Sequence, residues 1–218
     1  MRLHFERFNI PVEQMNVMAD FTGKFVDVFN KRTGMCLKEN ELVYWNFKDV
    51  INHLYKGEID GEIANEILFE ESFTSSLDLK DGVKDIFHKI CNHSEIKVIV
   101  VTALSEKLIP QRDKWFKKHF DGLDFEVHYE TDKEKIEMDY LIDDGVHNLD
   151  KLANKISKDN CLCIKEPYNI GCDYESFNTL EEAIYHIGGS PLLARTGALY
   201  HDIGKTYNPI MFVENQTG

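Results

Sequence analysis

Three residue types suited to phosphate chemistry follow predicted strands or lie in the loops between them. Thr102 closes the apolar run 96–101, Lys133 lies in a charged loop, and the acidic pair Asp143 and Asp144 closes a later strand. A hydroxyl and an ammonium group can hold the oxygens of a dianionic phosphate, and carboxylate oxygens are ligands that Mg²⁺ prefers. The pattern therefore predicts phosphoryl transfer, which also needs a nucleophilic carboxylate at the end of a central strand.

Each of these residues has a second interpretation that the sequence leaves open. Thr102 could be an ordinary turn residue, and Lys133 could lie on a solvated loop, with Lys135 holding the phosphate in its place. Asp143 and Asp144 could cap the helix that follows them.

The surrounding chain alternates between predicted strands and predicted helices. Short apolar runs predict strands at 96–102, 125–129, 140–142 and 161–164. Amphipathic spacing predicts helices at 22–33, 82–93, 108–120, 148–157 and 180–187. This alternation predicts an α/β fold with a doubly wound parallel sheet, in which reactive groups collect at the carboxyl ends of the strands.

The stretch from about residue 36 to residue 78 interrupts this alternation. It is mostly helical in pattern and rich in aromatic residues, among them Tyr44, Trp45 and Phe47. An insertion of this size predicts a small helical cap over the edge of the sheet. The simplest interpretation of its aromatic residues is that they form the core of that cap.

Composition excludes several classes of protein. The 25 lysines and arginines against 38 aspartates and glutamates give a net charge of −13, which argues against a nucleic-acid or anionic-membrane surface. No apolar run approaches the roughly 20 residues of a membrane-spanning helix, and the first residues lack the apolar stretch of a signal peptide. We expect a cytoplasmic protein whose five cysteines are free thiols.

Several motifs together resemble the haloacid dehalogenase superfamily and, within it, the 5'(3')-deoxyribonucleotidase family. The resemblance rests on Val17-Met18-Ala19-Asp20-Phe21, on Val100-Val101-Thr102-Ala103, on Asp139-Tyr140-Leu141-Ile142-Asp143-Asp144 and on Pro167-Tyr168-Asn169. It covers about residues 10–187, so we expect one phosphatase-like domain over residues 1–187, with the cap at about 36–78.

The resemblance implies hydrolysis of nucleoside monophosphates with Mg²⁺. It assigns the phosphate to Thr102, Ala103 and Lys133, and the metal to Asp143 and Asp144. It also raises the alternative that Trp45 and Phe47 stack on the nucleobase.

The sequence departs from the family at the first motif. The family's Asp-x-Asp-Gly falls on Glu13-Gln14-Met15-Asn16, so Glu13 would be both nucleophile and metal ligand, and Met15 takes the acid/base position. A methionine transfers no proton, and a shifted carboxylate loses rate because in-line attack demands close placement. The preceding strand, 8–12, is also poor, because Pro11 cannot donate to a central ladder.

A second alignment restores an aspartate nucleophile. Asp20-Phe21-Thr22-Gly23 has the Asp-x-Thr-Gly form of some superfamily members, with residues 16–19 as the incoming strand. A catalytically inactive phosphate- or nucleotide-binding fold is the remaining alternative.

Residues 188–218 resemble an incomplete HD-domain phosphohydrolase of the kind that hydrolyses cyclic di-AMP. The resemblance rests on 192–205, which contains the adjacent pair His201 and Asp202. In that family the pair binds a metal, but two ligands are too few for a stable site. We expect a short helical, non-catalytic remnant, the alternative being a partial metal site that another chain completes.

Overall fold

A computed structural model describes residues 8–93, 96–103 and 106–188. Its centre is a parallel sheet of six strands in the order β3-β2-β1-β4-β5-β6. The strands are β1 (Phe8–Glu13), β2 (Ile96–Val101), β3 (Glu126–His128), β4 (Leu141–Asp143), β5 (Cys161–Ile164) and β6 (Glu175–Phe177). The chain adds β2 and β3 on one side of β1 and then returns to add β4, β5 and β6 on the other. The predicted doubly wound parallel sheet is confirmed.

Helices cover both faces of the sheet. They are α1 (Phe21–Thr33), α2 (Phe47–Leu54), α3 (Glu62–Leu68), α4 (Glu71–Ser75), α5 (Val83–Cys91), α6 (Ile109–Phe120), α7 (Val146–Ile156) and α8 (Leu180–Ile187). In β4 and β5 alternate residues enter different cores. Ile142 and Leu162 belong to the larger core with α1, α5 and α8, whereas Leu141 and Cys161 pack with Leu149 of α7. Because both faces of these strands are therefore buried, each strand is a continuous apolar run in the sequence.

The expectation that Pro11 makes a poor central strand is wrong. On the β4 side, the Asn9 N–H donates to the Asp139 carboxylate (2.7 Å), and the Asn9 carbonyl accepts from the Asp139 N–H (3.0 Å). Because successive residues of a strand direct their backbone groups to opposite sides, the nitrogen of Pro11 also faces β4. The ladder between β1 and β4 consists of the single pair Val12 and Ile142. The N–H that Pro11 lacks is therefore missing on the β4 side, and the long ladder between β1 and β2 is intact.

The segment between α1 and α5 is helical, and Phe47 and Phe73 in it pack on α1. The ring centroids of Phe47 and Phe25 lie 4.7 Å apart, and those of Phe21 and Phe73 lie 5.4 Å apart. Tyr44 and Trp45 are about half exposed, so the interpretation of these two as core residues is wrong. Asp20 caps the start of α1, where its carboxylate accepts from the Gly23 N–H (3.0 Å), and Gly34 caps the end of the helix in the left-handed region, with φ of +73°.

One strand lies outside the sequence-based expectations. The short edge strand β6 follows a turn and carries the polar residues Glu175 and Ser176, so its pattern did not indicate a strand. The predicted tail, with His201 and Asp202, falls outside the described residues. Among the described helices, none is long and apolar enough to cross a membrane.

Candidate active site

The candidate site lies where the strand order reverses, at the carboxyl ends of β1, β2 and β4. Residues 14–16 follow β1, Thr102 and Ala103 follow β2, and Asp143 ends β4 with Asp144 directly after it. In open α/β sheets this position forms the ligand-binding crevice. The sheet order therefore brings together groups that lie as much as 130 residues apart along the chain.

Lys133 and Asp143 form a buried ion pair at the floor of this crevice. The Lys133 Nζ lies 2.5 Å from Asp143 Oδ2, and the two side chains are 4% and 0% exposed. Asp143 Oδ1 also accepts from the Gly145 N–H (2.7 Å), and the Asn148 amide lies 3.2 Å from both carboxylate oxygens. Lys135 pairs instead with Glu130 at the surface (3.2 Å). The structure thus directs Lys133, and not Lys135, toward the acidic pair.

Asp144 is held by Tyr168, a residue of the motif Pro167-Tyr168-Asn169 for which the sequence predicts no role. The Tyr168 hydroxyl donates to Asp144 Oδ2 and accepts from the Asn16 amide (2.8 Å). Burial of the phenol, and then the charge of Asp144, raise the pKa of Tyr168 far above its ordinary value. Tyr168 therefore stays protonated and remains a donor to this carboxylate.

Asn16 links the loop after β1 to this tyrosine. Its backbone is left-handed, with φ of +57°, a region that asparagine adopts more readily than most residues. Its Oδ1 accepts from the N–H (3.0 Å) and the hydroxyl (2.8 Å) of Thr22 at the start of α1. An asparagine at the family's glycine position is the sequence signal that could have indicated this left-handed turn.

Glu166 lies behind Thr22 in a buried position. It forms an ion pair with Lys80, and its Oε2 lies 3.3 Å from the Thr22 hydroxyl oxygen. Burial raises the pKa of Glu166 above its ordinary value. The Thr22 hydroxyl donates to Asn16 Oδ1 at the shorter distance of 2.8 Å and has Glu166 Oε2 as a second, more distant acceptor.

Thr102 lies directly after β2, and its hydroxyl is buried. The Thr102 N–H donates to the His128 carbonyl (3.0 Å), and the side chain is 0% exposed. Within the described part of the chain, its Oγ1 has no hydrogen-bond partner. A buried polar atom without a partner indicates a place for a ligand atom, and a phosphate oxygen would satisfy this hydroxyl.

Two adjacent cavities open above these residues. The larger, of about 140 Å³, is lined by Met15, Trp45, Ala103, Thr131, Lys133, Asp144, His147, Asn148 and Lys151. The smaller, of about 40 Å³, is lined by Met15, Asn16, Phe21, Trp45, Phe47, Asp144 and Tyr168. Most residues that line the first are polar or charged, including two lysines, although the surface they present to it is mostly apolar; four of the seven residues that line the second are aromatic.

Trp45 lines both cavities and stands between them. Its ring packs edge-on against His147 (4.7 Å between centroids) and against Tyr168 (5.2 Å), while about half of the residue is exposed. Phe47 is 4% exposed and packs against Phe25 of α1. The structure therefore gives Phe47 the core role that was the simpler interpretation, although its edge reaches the smaller cavity.

Met15 lines both cavities at the position where the family has its acid/base aspartate. Its sulfur lies 3.6 Å from Nη2 of Arg112, a residue of α6 that is 1% exposed. The methionine thus presents a thioether to the crevice next to a buried guanidinium group.

The two nucleophile alignments differ in how they fit the fold. The strand that enters the crevice is β1, which ends at Glu13, level with Val101 of β2. The structure describes the backbone of Glu13 and not its side chain, so its role stays a prediction. The second alignment needs a strand at 16–19, and this is wrong, since those residues form a turn and Asp20 caps α1.

The residues present fit a magnesium ion in one respect. Mg²⁺ usually binds to proteins through one or two carboxylates together with water and substrate oxygens. Asp144 lines both cavities, whereas both oxygens of Asp143 already accept from protein donors. Within the described ranges no group of three histidine, cysteine or acidic residues could hold a metal. Asp144 is therefore the principal candidate ligand.

Comparison with known structures supports the fold. A β-phosphoglucomutase-type protein of Thermotoga maritima superposes with a TM-score of 0.51 at 13% identity, covering 84% of this chain and 99% of the other. A haloacid dehalogenase-like hydrolase of Streptococcus pneumoniae superposes with a TM-score of 0.51 at 11% identity, covering 83% and 98%.

Two kinds of sequence relative match different extents of the chain. The cyclic-di-AMP phosphodiesterase PgpH of Bacillus subtilis is 54% identical over 39 residues, which are 18% of this chain and 6% of that protein. The chain thus spans a small fraction of PgpH, which fits the expected resemblance to an incomplete HD-domain phosphohydrolase. A Staphylococcus aureus protein named as a 5'(3')-deoxyribonucleotidase is 26% identical over 145 residues, which are 66% of this chain and 77% of that protein.

A family model covers nearly all of the described domain. It is described as 5' nucleotidase, deoxy (pyrimidine), cytosolic type C protein, and it matches residues 8–186. The match includes the strand ends that form the crevice and the helical segment between α1 and α5. On this evidence the chain belongs to the cytosolic type C 5'-nucleotidase family of haloacid dehalogenase-like hydrolases.

Proposed function

We propose that this chain hydrolyses deoxyribonucleoside monophosphates in a Mg²⁺-dependent reaction, at a rate limited by its altered first motif. The observation that carries the proposal is the pair of adjoining cavities, one lined by Lys133, Thr131 and Asn148 and the other lined mainly by aromatic residues, with Asp144 and Trp45 lining both. A nucleotide has the same division between an anionic phosphate and a flat base. The family match and the Staphylococcus aureus relative supply the substrate class.

The chain's own residues would hold the substrate at the strand ends. The Thr102 hydroxyl and the backbone at Ala103 would bind phosphoryl oxygens, and Lys133 would orient them while it stays paired with Asp143. Trp45 would contact the base from the mouth of the crevice, and Phe47 would support it from the core.

Asp144 would be the protein ligand of Mg²⁺, with Glu13 the second candidate. When bound, the ion would neutralise phosphoryl charge and draw electron density from phosphorus. The Tyr168 hydroxyl would hold Asp144 in one orientation through its hydrogen bond.

The Glu13 carboxylate would attack phosphorus as the bond from phosphorus to the nucleoside oxygen breaks, and a water molecule would then hydrolyse the acyl phosphate to release phosphate and free Glu13. Water would supply the proton to the nucleoside oxygen, since Met15 can transfer none. Asp20 stays the alternative nucleophile, although its carboxylate already caps α1. A carboxylate introduced at position 15 would meet the guanidinium of Arg112.

A second candidate function is nucleotide or phosphate binding without turnover. It is favoured by Met15, which occupies the acid/base position and lines both cavities. The crevice would then bind the same ligands and release them unchanged.

The test measures phosphate release from dUMP and from p-nitrophenyl phosphate, with Mg²⁺ and with EDTA. Turnover that requires Mg²⁺ and is lost in Asp144→Asn supports the proposal. Turnover no different from that of Asp144→Asn, with dUMP still bound, favours the second candidate. Loss of activity in Asp20→Asn and not in Glu13→Gln would restore the second alignment.

The double substitution Glu13→Asp with Met15→Asp tests the first motif directly. We expect a gain of about two to four orders of magnitude in kcat, the usual contribution of a general acid/base. No gain in a variant that unfolds at the wild-type temperature would show that the altered motif does not limit the rate.

For residues 188–218 we propose a non-catalytic remnant of an HD-domain hydrolase, with residues 1–187 as the phosphatase-like domain. The family model ends at residue 186, and the PgpH match covers a short segment of 39 residues, which supports a separate fragment beside the phosphatase-like domain. Metal analysis of the full chain against a His201→Ala, Asp202→Ala variant tests it. Equal metal content supports the remnant, and a loss of stoichiometric metal would indicate a site there.

A further inference from the structure

Apart from the Mg²⁺ that Asp144 would hold, the larger cavity has little uncompensated positive charge from Lys133 with which to bind a dianionic phosphate. The Lys133 ammonium group lies 2.5 Å from Asp143 Oδ2, with both side chains buried, so the charge of Asp143 offsets most of its charge. Asp144 adds a carboxylate to the same lining. A protein with a net charge of −13 also provides no general attraction for anions.

Lys151 is the second lysine that lines this cavity. It lies on α7, one turn after His147, and it is exposed. Within the described ranges it forms no hydrogen bond or ion pair. The next two lysines along the chain do, since Lys155 donates to the carbonyls of Glu134 and Ile136, and Lys158 pairs with Asp173.

We propose that Lys151 is a second phosphate-binding residue, whose ammonium group binds a phosphoryl oxygen of the substrate. This inference rests on the proposed function, because it names the residue that offsets the charge of the same substrate. A lysine on a four-carbon stem can bring a point charge to an anion without losing another partner. Lys133 then acts mainly to orient Asp143 and the phosphate, and Lys151 attracts the anion.

The test uses the intrinsic fluorescence of Trp45 to measure binding independently of turnover. The chain has two tryptophans, of which Trp115 is 1% exposed in the core and Trp45 lines the cavity. Inorganic phosphate and dUMP are titrated into the wild type, Lys151→Met, Lys151→Arg and the matched control Lys117→Met. Lys117 is an exposed residue of α6 that does not line the cavity.

We expect Lys151→Met to raise the Kd for both ligands about tenfold, the effect of one charge-assisted hydrogen bond. Lys151→Arg should retain most of the affinity, and Lys117→Met should bind as the wild type does. All four proteins should unfold at similar temperatures, which separates binding from stability.

Two results overturn the inference, and they are distinguishable. If both ligands bind the wild type and Lys151→Met with equal Kd, Lys151 does not contact phosphate and the proposed function is untouched. If neither ligand binds the wild type, the proposed function fails and this inference fails with it.

Discussion

Replacing Lys133 by methionine removes the cation of the buried pair while keeping most of the volume of the side chain. Asp143 would then remain 0% exposed without its ammonium partner. Because water cannot reach a carboxylate in this position, the unpaired charge destabilises the folded state. We expect Lys133→Met to lower the free energy of unfolding and to weaken phosphate binding.

The magnitude follows from the partners that Asp143 keeps. Breaking a buried ion pair by removing one partner costs about 3–5 kcal/mol. Asp143 retains the Gly145 N–H at 2.7 Å and the Asn148 amide at 3.2 Å, so the lower end, about 3 kcal/mol, is the expected loss. For a domain of this size, that corresponds to a decrease in Tm of about 6–12 °C.

The assay is thermal and urea unfolding, with Lys135→Met as the matched control. Lys135 lies two residues away in the same loop and pairs with Glu130 at the surface, where ion pairs contribute little. Its replacement should leave Tm close to that of the wild type. The double variant Lys133→Met with Asp143→Asn should lose clearly less stability than the sum of the two single variants.

Equal Tm values for Lys133→Met and Lys135→Met would refute the reasoning. So would additive losses in the double variant, because additivity would mean that Lys133 and Asp143 are not coupled in solution.

Three further predictions concern residues around the crevice. Thr102→Val should keep the wild-type Tm and lose phosphate affinity, since its hydroxyl has no partner within the described part of the chain; a loss of Tm as large as that of Lys133→Met would contradict this. Asn16→Ala should be less stable than Asn16→Gly by about 1 kcal/mol in urea unfolding, because φ is +57° and the Cβ of alanine is sterically disfavoured in the left-handed region. A higher free energy of unfolding for Asn16→Ala than for Asn16→Gly would contradict that geometry. Burial raises the pKa of Glu166, so the folded state binds the proton of its carboxyl group more tightly than the unfolded state does. This binding adds to the free energy of unfolding below pH 4.5, and the contribution is lost as pH rises through the raised pKa. The Tm of the wild type relative to Glu166→Gln should therefore fall across that window, and a constant difference would show that Glu166 does not titrate differently on folding.

Local patterns predicted most of the elements correctly. The helix at 180–187 and the strand at 161–164 have their predicted bounds, because their apolar spacing and their caps are local properties of the chain. The proline makes the predicted strand at 8–12 look poor, because the sequence does not show which neighbouring strand the missing N–H would face. The strand at 175–177 had no apolar pattern, and its pairing with β5 defines it.

For the site, the sequence alone determined which residue types are present and that they follow strand ends. It indicated Thr102 and the acidic pair, and it left Lys133 and Lys135 as alternatives. The tertiary structure decided between the two lysines by directing one to Asp143 and the other to the surface.

The contacts that shape the crevice were decided only by the tertiary structure. The hydrogen bond from Asn16 to Tyr168 joins residues 152 positions apart, and the contact of Arg112 with Met15 joins residues 97 apart. Periodicity and spacing report on neighbours within one helix or strand, and such pairs have no local signature. They arise because the chain reverses its strand order at β1, which places the ends of β1, β2 and β4 side by side.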